Sequence, residues 1–310
     1  MNILNILSEI EKVDETIYDR LNPRRRAIKD FYNMGKKISV AALPFALSTM
    51  LQKAYGQTTA NTAVIESLNF ALALEYMEFQ FYNNALTATP NLIPVADKPI
   101  IITIRDHEQA HISLLIKTIT DLGGTPRPAM PYDVFDYTKV ATNVTTNYGT
   151  FLRTGVVLED LGVRAYKGQA ISLLGNNTVL AAATRIHSLE ARHSAQLRQM
   201  VNKLQITNLK AMRPWVGVRR GDDGNILDPI TNNDSMIGTL SPIYDRDTTV
   251  ANSEVKTVQA GMDLVSISGF NEITAAVAAE SFDELLLRAS VIVAANLFIK
   301  GDASNPNKLK

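Results

Sequence analysis

Glutamate and histidine stand three residues apart twice in this chain, as Glu108 and His111 and again as Glu190 and His193. Residues three apart lie on one face of an α-helix, so each pair can direct a carboxylate and an imidazole to one point. Oxygen and imidazole ligands without thiolates suit iron or manganese, and zinc less specifically. A single pair is weak evidence, because such residues are common on solvated helix faces. The metal hypothesis therefore depends on what surrounds the two pairs.

The segments around these pairs belong to an internal repeat. The stretch 104–115, "IRDHEQAHISLL", aligns without a gap over 186–197, "IHSLEARHSAQL". In the same way 74–82, "LEYMEFQFY", aligns over 158–166, "LEDLGVRAY". The repeated unit is thus a helix with one glutamate followed by a helix with Glu-x-x-His. The second alignment equates Glu75 with Glu159 and Tyr82 with Tyr166.

Six ionisable residues interrupt the apolar stripes that these four segments would bury in a bundle. Burying an unpaired charge costs several kcal/mol, so four carboxylates in one core layer need neutralisation. Two divalent cations match their charge, and bridging carboxylates would hold the ions about 3.5–4 Å apart. The predicted metal ligands are Glu75, Glu108, His111, Glu159, Glu190 and His193.

Other polar and aromatic residues near these positions have simpler interpretations. Glu78 competes with Glu75, but the repeat places Gly162 at the equivalent position, so we expect Glu78 at the surface or beside a ligand. Tyr82 and Tyr166 are expected as core aromatics, with hydrogen bonding to ligand carboxylates as the alternative. Two histidines lie off the ligand stripe and are predicted at the surface: His107 and His187.

Composition narrows the function further. The 310 residues include 31 Lys plus Arg and 31 Asp plus Glu, so the net charge is zero, unlike that of a nucleic-acid binder. Cysteine is absent from the sequence, which excludes disulfides, cysteine nucleophiles and iron–sulfur clusters. The stretch "GDDGNILD" at 221–228 lacks EF-hand spacing and indicates a turn. We therefore expect metal ions and small molecules, rather than nucleic acid, as partners.

Four long segments have amphipathic helical spacing and turn residues at their ends. Asp97 and Pro99 are typical of the start of a helix, as a capping residue and a first-turn proline, and predict where the second helix begins. The connections between consecutive helices are short, long and short. This order predicts an all-α, antiparallel four-helix bundle within residues 58–204, with one long crossover at about 125–140. The predicted helices run about 60–86, Pro99 to Gly123, about 141–174 and about 178–204.

The residues before the bundle, 1–57, predict an N-terminal helical arm or an export-signal-like segment. "RRRAIK" at 24–29 resembles the twin-arginine export motif, although Ala27 stands where phenylalanine is usual. The apolar run 38–51 is shorter than the ~20 residues of a transmembrane helix. An arm packed along the domain explains the same residues. Export to the periplasm and a cytoplasmic location therefore both remain open.

The residues after the bundle, 205–310, are rich in turn formers and predict a loop-rich extension that ends in a helix. We expect that helix over 281–298, because Ser281 and Glu284 have capping-box spacing, and a frayed tail after it. The extensions at both ends favour interaction or assembly roles, including a homo-oligomer.

The glutamate on each of two helices and the Glu-x-x-His on the other two resemble the ferritin-like di-iron carboxylate superfamily over about 60–204. "LEYMEFQFY", the duplication and the upstream arm resemble a branch of ferritin-like domain proteins related to plant desiccation-associated proteins. The resemblance implies two iron ions, or two manganese ions, held by the six residues. It also implies Glu108 and Glu159 as the bridging carboxylates.

The resemblance further implies oxidoreductase chemistry on dioxygen, peroxide or ferrous iron, with a di-manganese catalase-like enzyme as a close variant. A structural or stress-protective protein, whose metal only stabilises the fold, is the alternative. The chain lacks the cysteine-rich iron domain of rubrerythrins, and its length and two histidines disfavour a mineral-storing cage. The resemblance does not assign catalytic residues beyond the ligands.

Overall fold

The computed structural model describes residues 60–174, 176–206 and 284–310, together with Pro214, Ile243 and two short strands at 258–259 and 262–263. The predicted N-terminal arm and the twin-arginine-like segment lie outside the described residues. Within the described part of the chain, no helix combines the length and the apolar character needed to cross a membrane.

Four long helices form the bundle that the sequence predicts. Helices α1 and α2 pack closely together, as do α3 and α4, and α1 also contacts α3. Tyr82 reaches Glu159 while Tyr166 reaches Glu75, so α1 and α3 run antiparallel. The helices are α1 (Ala60–Thr87), α2 (Lys98–Asp121), α3 (Tyr148–Gln169) and α4 (Asn177–Lys203).

The start of α2 differs in detail from the prediction. Proline in its first turn agrees with a helix beginning there. The Asp97 side chain, however, makes no capping hydrogen bond to the helix. Its Oδ2 instead accepts a hydrogen bond of 2.9 Å from the Tyr148 hydroxyl. Asp97 therefore ties the start of α2 to the start of α3.

The end of α2 follows from its glycines. Gly123 adopts φ 79°, a left-handed conformation that side chains with a Cβ rarely adopt. The Gly123 amide then donates to the Thr120 carbonyl oxygen and the Gly124 amide to that of Ile119, both at 2.9 Å. These bonds satisfy carbonyl groups that the helix end would leave open.

Asparagine side chains cap the other two helices. Asn147 Oδ1 accepts from the Thr150 amide at 2.9 Å, and Asn176 Oδ1 accepts from the Val179 amide at 3.1 Å. Helix α3 consequently begins at Tyr148, later than the predicted 141, and continues into a 3-10 turn at Ala170–Leu173.

The crossover between α2 and α3 lies against the bundle. It contains 3-10 turns at Tyr132–Val134 and Tyr137–Lys139. The buried Tyr137 hydroxyl donates to the Met77 carbonyl oxygen at 2.6 Å. Phe81 stacks on Phe151 with ring centroids 4.8 Å apart. These contacts close the hydrophobic core at one end of the bundle and connect the crossover to α1.

The C-terminal helix α5 (Arg288–Asn296) begins later than the predicted residue 281. Glu284, the predicted capping-box residue, lies before the helix and is buried. Its carbonyl oxygen accepts a 2.7 Å bond from Nε of Arg164, and the Leu286 amide donates to the Arg164 carbonyl at 3.2 Å. Arg164 is fully buried, so docking against α3 fixes the backbone of Glu284 and Leu286 ahead of the helix. Ser281, the other residue of the predicted capping box, lies outside the described residues.

The last residues pack back on α5, so the predicted frayed tail is wrong. Lys308 Nζ donates to the carbonyl oxygens of Asn296 and Ile299 at 2.6 and 2.8 Å. The Leu309 amide donates to Asn296 Oδ1 at 2.9 Å, and Leu309 is buried. Ile299 also forms an isolated antiparallel bridge with Phe135 of the crossover. The tail thereby becomes part of the domain.

The remaining described elements are two short strands. β1 (Val258–Gln259) and β2 (Met262–Asp263) pair antiparallel, with Val258 opposite Asp263 and Gln259 opposite Met262.

Candidate metal centre

The bundle brings all six predicted ligands into one buried layer. The four glutamates have no exposed surface, and the histidines are only 7% (His111) and 4% (His193) exposed. Helices α1 and α3 each carry one predicted ligand, and α2 and α4 each carry two. These residues are Glu75 on α1, Glu108 and His111 on α2, Glu159 on α3, and Glu190 and His193 on α4.

His111 lies at the centre of the first group. Its Nδ1 is 2.9 Å from Glu108 Oε2, 3.1 Å from Glu75 Oε2 and 3.2 Å from Glu190 Oε1. One nitrogen carries at most one hydrogen, so it cannot donate to three carboxylates at once. Ligand atoms that each lie ~2.1 Å from a common ion are themselves roughly 3 Å apart. The observed spacing therefore suits a shared cation.

His193 occupies the same place in the second group. Its Nδ1 is 2.9 Å from Glu108 Oε1, 3.1 Å from Glu159 Oε2 and 4.0 Å from Glu190 Oε2. In both groups, one ligand atom from each of four residues lies within 4.8 Å of the others.

The two groups share Glu108 and Glu190. Glu75 belongs only to the first group and Glu159 only to the second. The expectation that Glu108 bridges agrees with this arrangement, whereas the structure places Glu190 rather than Glu159 beside both groups. Glu108 and Glu190 are equivalent in the repeat, so the site has the approximate two-fold symmetry of the sequence.

Several carboxylate oxygens at the site lack a hydrogen-bond donor. Glu190 Oε2 is buried and accepts no hydrogen bond, and Glu108 Oε1 and Glu190 Oε1 face only histidine nitrogens that other carboxylates also approach. Buried polar atoms nearly always have partners, and an unmatched one needs an explanation such as an ion. The number and type of these residues, and their carboxylate oxygens that lack donors, therefore fit a metal centre.

Electrostatics in the protein alone shows the same need for cations. Burial raises the pKa of Glu75 to about 7, and it raises the pKa of Glu190 well above the usual value, with repulsion from Glu108 added. Burial opposes ionisation of Glu108 too, but His111 and His193 together lower its pKa. The neutral form of the first two carboxyls is thus favoured until positive charge is supplied.

The histidines show the converse effect. Burial disfavours their charged form, but Glu75 and Glu108 raise the pKa of His111 well above its ordinary value, and Glu159 and Glu108 do the same for His193. Metal binding at these nitrogens must therefore displace protons, which makes affinity depend on pH.

The two tyrosines hold ligand carboxylates across the bundle. Tyr82 on α1 donates to Glu159 Oε1 at 2.5 Å, and Tyr166 on α3 donates to Glu75 Oε1. Burial and these carboxylates raise the pKa of both tyrosines well above 10, so the hydroxyls remain donors. The preferred interpretation as simple core aromatics was wrong, and the hydrogen-bonding alternative is confirmed.

The other two histidines are not free surface residues. His107 is half-buried, and its Nδ1 lies 2.9 Å from His193 Nε2, with the two rings stacked. Burial and the neighbouring His193 lower the pKa of His107. His187 Nδ1 lies 2.9 Å from the Val163 carbonyl oxygen. Both histidines are therefore partly exposed, as the surface prediction requires, but both have hydrogen-bonding partners, and His107 contacts a predicted ligand directly.

Glu78 occupies the second of the two positions considered for it, beside a predicted ligand. It is 1% exposed, so the preferred surface position is wrong. Burial and repulsion from Glu190 raise its pKa well above the usual value. The repeat did contain the relevant signal, because Gly162 at the equivalent position leaves space for Glu78.

A buried ion pair beside the site has no counterpart in the sequence prediction. Arg198 on α4 binds Asp160 on α3 with two bonds of 2.8 and 2.7 Å, and Ser194 donates to Asp160 Oδ1 at 2.6 Å. Asp160 follows Glu159, and Ser194 follows His193. The pair therefore fixes α3 against α4 next to two ligands.

Comparison with known proteins agrees with this geometry. Residues 63–203 match the family model described as "Ferritin-like domain". The match does not single out the branch related to plant desiccation-associated proteins. No curated protein and no solved structure matched the chain. With the helix order, the antiparallel packing and the buried carboxylate–histidine layer in place, residues 63–203 are a ferritin-like domain.

Proposed function

We propose that the six buried residues hold two metal ions, one in each four-residue group, with Glu108 and Glu190 bridging them. One observation carries the proposal: two groups of four possible ligand atoms, each within 4.8 Å of one another, share two residues in a buried layer. Four carboxylates match the charge of two divalent ions.

The donor set favours particular metals. Carboxylate oxygens and imidazole nitrogens without sulfur suit iron, with manganese as the alternative. Two such ions would each supply one electron to an oxidant such as dioxygen or peroxide. We therefore propose oxidoreductase chemistry on dioxygen, peroxide or ferrous iron, and a di-manganese catalase-like reaction if manganese is bound.

Residues of the chain would orient the ligands for this chemistry. Tyr82 and Tyr166 each fix the carboxylate that belongs to only one group. A neutral His193 that directs Nδ1 to a cation carries its hydrogen on Nε2, which can donate to His107 Nδ1 at 2.9 Å. Such partners fix the ring and increase the basicity of the ligand nitrogen.

Access for a small oxidant would lie on the histidine side. The only exposure among the six residues belongs to His111 and His193, whose ring centroids are 6.4 Å apart. These residues lie on α2 and α4, which contact each other much less than α1 and α3 do. Apolar residues one turn from the ligands, such as Leu72 and Val156, are fully buried and exclude water elsewhere.

Metal analysis combined with two assays tests the proposal. Purified protein, stripped and then reloaded with iron or manganese, should bind two ions per chain. The iron form should oxidise ferrous iron or consume peroxide, and the manganese form should disproportionate peroxide. Protein that binds no metal would contradict the site, and loaded protein that is inert in every assay would contradict the oxidoreductase role.

A structural or stress-protective role is the second candidate. The complete burial of the four glutamates and the docking of the C-terminal segment on α3 favour it. In that case the ions stabilise the fold by binding only the native state. Loaded protein would then melt at a higher temperature without reacting with either oxidant. Size-exclusion chromatography of the same samples tests whether the chain forms the homo-oligomer that its extensions favour.

A further inference from the structure

Glu78 carries a buried carboxylate that the six-ligand site does not use. It lies on α1, one turn after Glu75, and is 1% exposed. Neither of its oxygens accepts a hydrogen bond. A carboxylate in this situation needs a cation or a donor, because burial without either strongly disfavours the folded state.

Gly162 provides the space that Glu78 occupies. A Cβ added at Gly162 would lie 3.0 Å from Glu78 Oε1 and 3.3 Å from Glu190 Oε2. The carboxylates of Glu78 and Glu190 therefore border the same small volume above α3. Both oxygens of Glu78, and the Oε2 of Glu190 that faces this volume, lack hydrogen-bond partners.

Glycine within a helix is unfavourable relative to alanine, so its presence in the middle of α3 needs a reason. The equivalent position of the other half holds Glu78 itself. Where the first half of the repeat has Glu78, the second half thus has glycine, the residue that leaves room for the Glu78 side chain.

We propose that Glu78 is a fifth carboxylate of the metal centre and binds, together with Glu190, an ion on the Gly162 side. This inference rests on the proposed function and extends it. A fifth carboxylate makes the two halves of the centre chemically unequal. It also gives the ligand set one negative charge more than two divalent ions neutralise. Five carboxylates are neutralised either by two ions whose charges sum to five or by two divalent ions together with one proton on a carboxylate.

Substitution of Glu78 by glutamine tests the proposal, because glutamine keeps the size of the side chain and cannot be ionised. The full chain is stripped of metal and titrated with Co²⁺ by calorimetry and by visible absorption. Wild type should bind two ions per chain. Glu78→Gln should bind at least one of them about tenfold or more weakly and change the Co²⁺ absorption bands.

The matched control is Glu66→Gln, which removes an exposed carboxylate from the same helix and should bind Co²⁺ as wild type does. Wild-type affinity and absorption in Glu78→Gln would overturn the inference while leaving the six-ligand centre intact. Failure of the wild type to bind Co²⁺ would overturn both.

Gly162→Ala is an independent variant that leaves every carboxylate in place. The added methyl group should displace Glu78 and Glu190, and weaken Co²⁺ binding in the same manner. Circular dichroism should show wild-type helix content, since alanine favours a helix more than glycine does. A folded Gly162→Ala protein with wild-type affinity for both ions would contradict the proposal even if Glu78→Gln does not fold.

Discussion

The two halves of the bundle present equivalent ligands on different supports. In the α3–α4 half, Asp160, Ser194 and Arg198 form a buried hydrogen-bonded ion pair. The equivalent positions of the α1–α2 half are apolar or aromatic: Tyr76, Ile112 and Ile116. The predicted ligands are therefore the same in both halves, whereas the packing around them is achieved by apolar contact in one half and by paired charge in the other.

Breaking the ion pair is expected to have the largest effect. Arg198→Met keeps most of the side-chain volume but leaves Asp160 buried without its cation. The free energy of unfolding, measured by urea denaturation, should fall by about 3–5 kcal/mol. Ile116→Ala, at the equivalent position of the other half, should cost less, because Ile116 is only partly buried. Equal losses would show that the two halves do not differ in the way described.

The stability of metal-free protein should fall as pH rises. Glu75 has a pKa of about 7 when folded against 4.5 for the ordinary group. Its contribution is therefore present below pH 4.5 and lost as pH rises through 7. The loss from this group alone is on the order of 3 kcal/mol. Thermal melting at pH 5 and pH 8 should show this loss without metal and a much smaller one with metal bound.

Glu75→Leu provides the control for this pH dependence. Removing the core charge should raise the melting temperature of metal-free protein at pH 8 and flatten its dependence on pH. If metal-free wild type is as stable at pH 8 as at pH 5, Glu75 does not carry the unfavourable charge assigned to it.

Removing one histidine at a time should separate the two groups. His111→Ala and His193→Ala should each weaken one ion at least tenfold, about 1.4 kcal/mol or more, so that elemental analysis after dialysis shows about one ion per chain. His107→Ala should weaken only the ion of the His193 group, since His107 contacts His193. Unchanged metal content in all three variants would refute the ligand assignment.

Removing the tyrosine hydroxyls should change stability least, and by a similar amount in the two halves of the bundle. Tyr82→Phe and Tyr166→Phe each remove one hydrogen bond to a ligand carboxylate, from Glu159 and Glu75 respectively. Each should reduce stability by about 0.5–1.5 kcal/mol in the metal-free form and less in the metal-bound form. Melting curves of both variants, with and without metal, measure this. A loss confined to one variant would show that the two halves use their tyrosines differently.

The bundle and the buried layer of six carboxylate and histidine residues could be predicted because two independent patterns agree on them. The repeat aligns Glu108 with Glu190 and His111 with His193, and each also falls on an apolar stripe of period 3.6. The Tyr–Glu hydrogen bonds follow from the same alignment, but only antiparallel packing of α1 on α3 makes them possible.

Residues whose roles depend on a neighbouring helix could not be placed in this way. The surface position was preferred for Glu78 because the space that accommodates its buried carboxylate lies over Gly162, which belongs to α3. The contact of His107 with His193 was not predicted because His193 lies on another helix, α4. Similarly, α5 begins at Arg288, and Arg164 donates a hydrogen bond to the Glu284 carbonyl oxygen ahead of it. A contact with another helix of this kind cannot be read from the local sequence.

Anomalous diffraction from crystals of the full chain, recorded at the iron and manganese absorption edges, tests the central claim most directly. We expect two peaks in the buried layer, one beside His111 and one beside His193, with Glu108 and Glu190 contacting both. A layer without anomalous density in metal-reconstituted crystals, or glutamates turned away from one another, would contradict it.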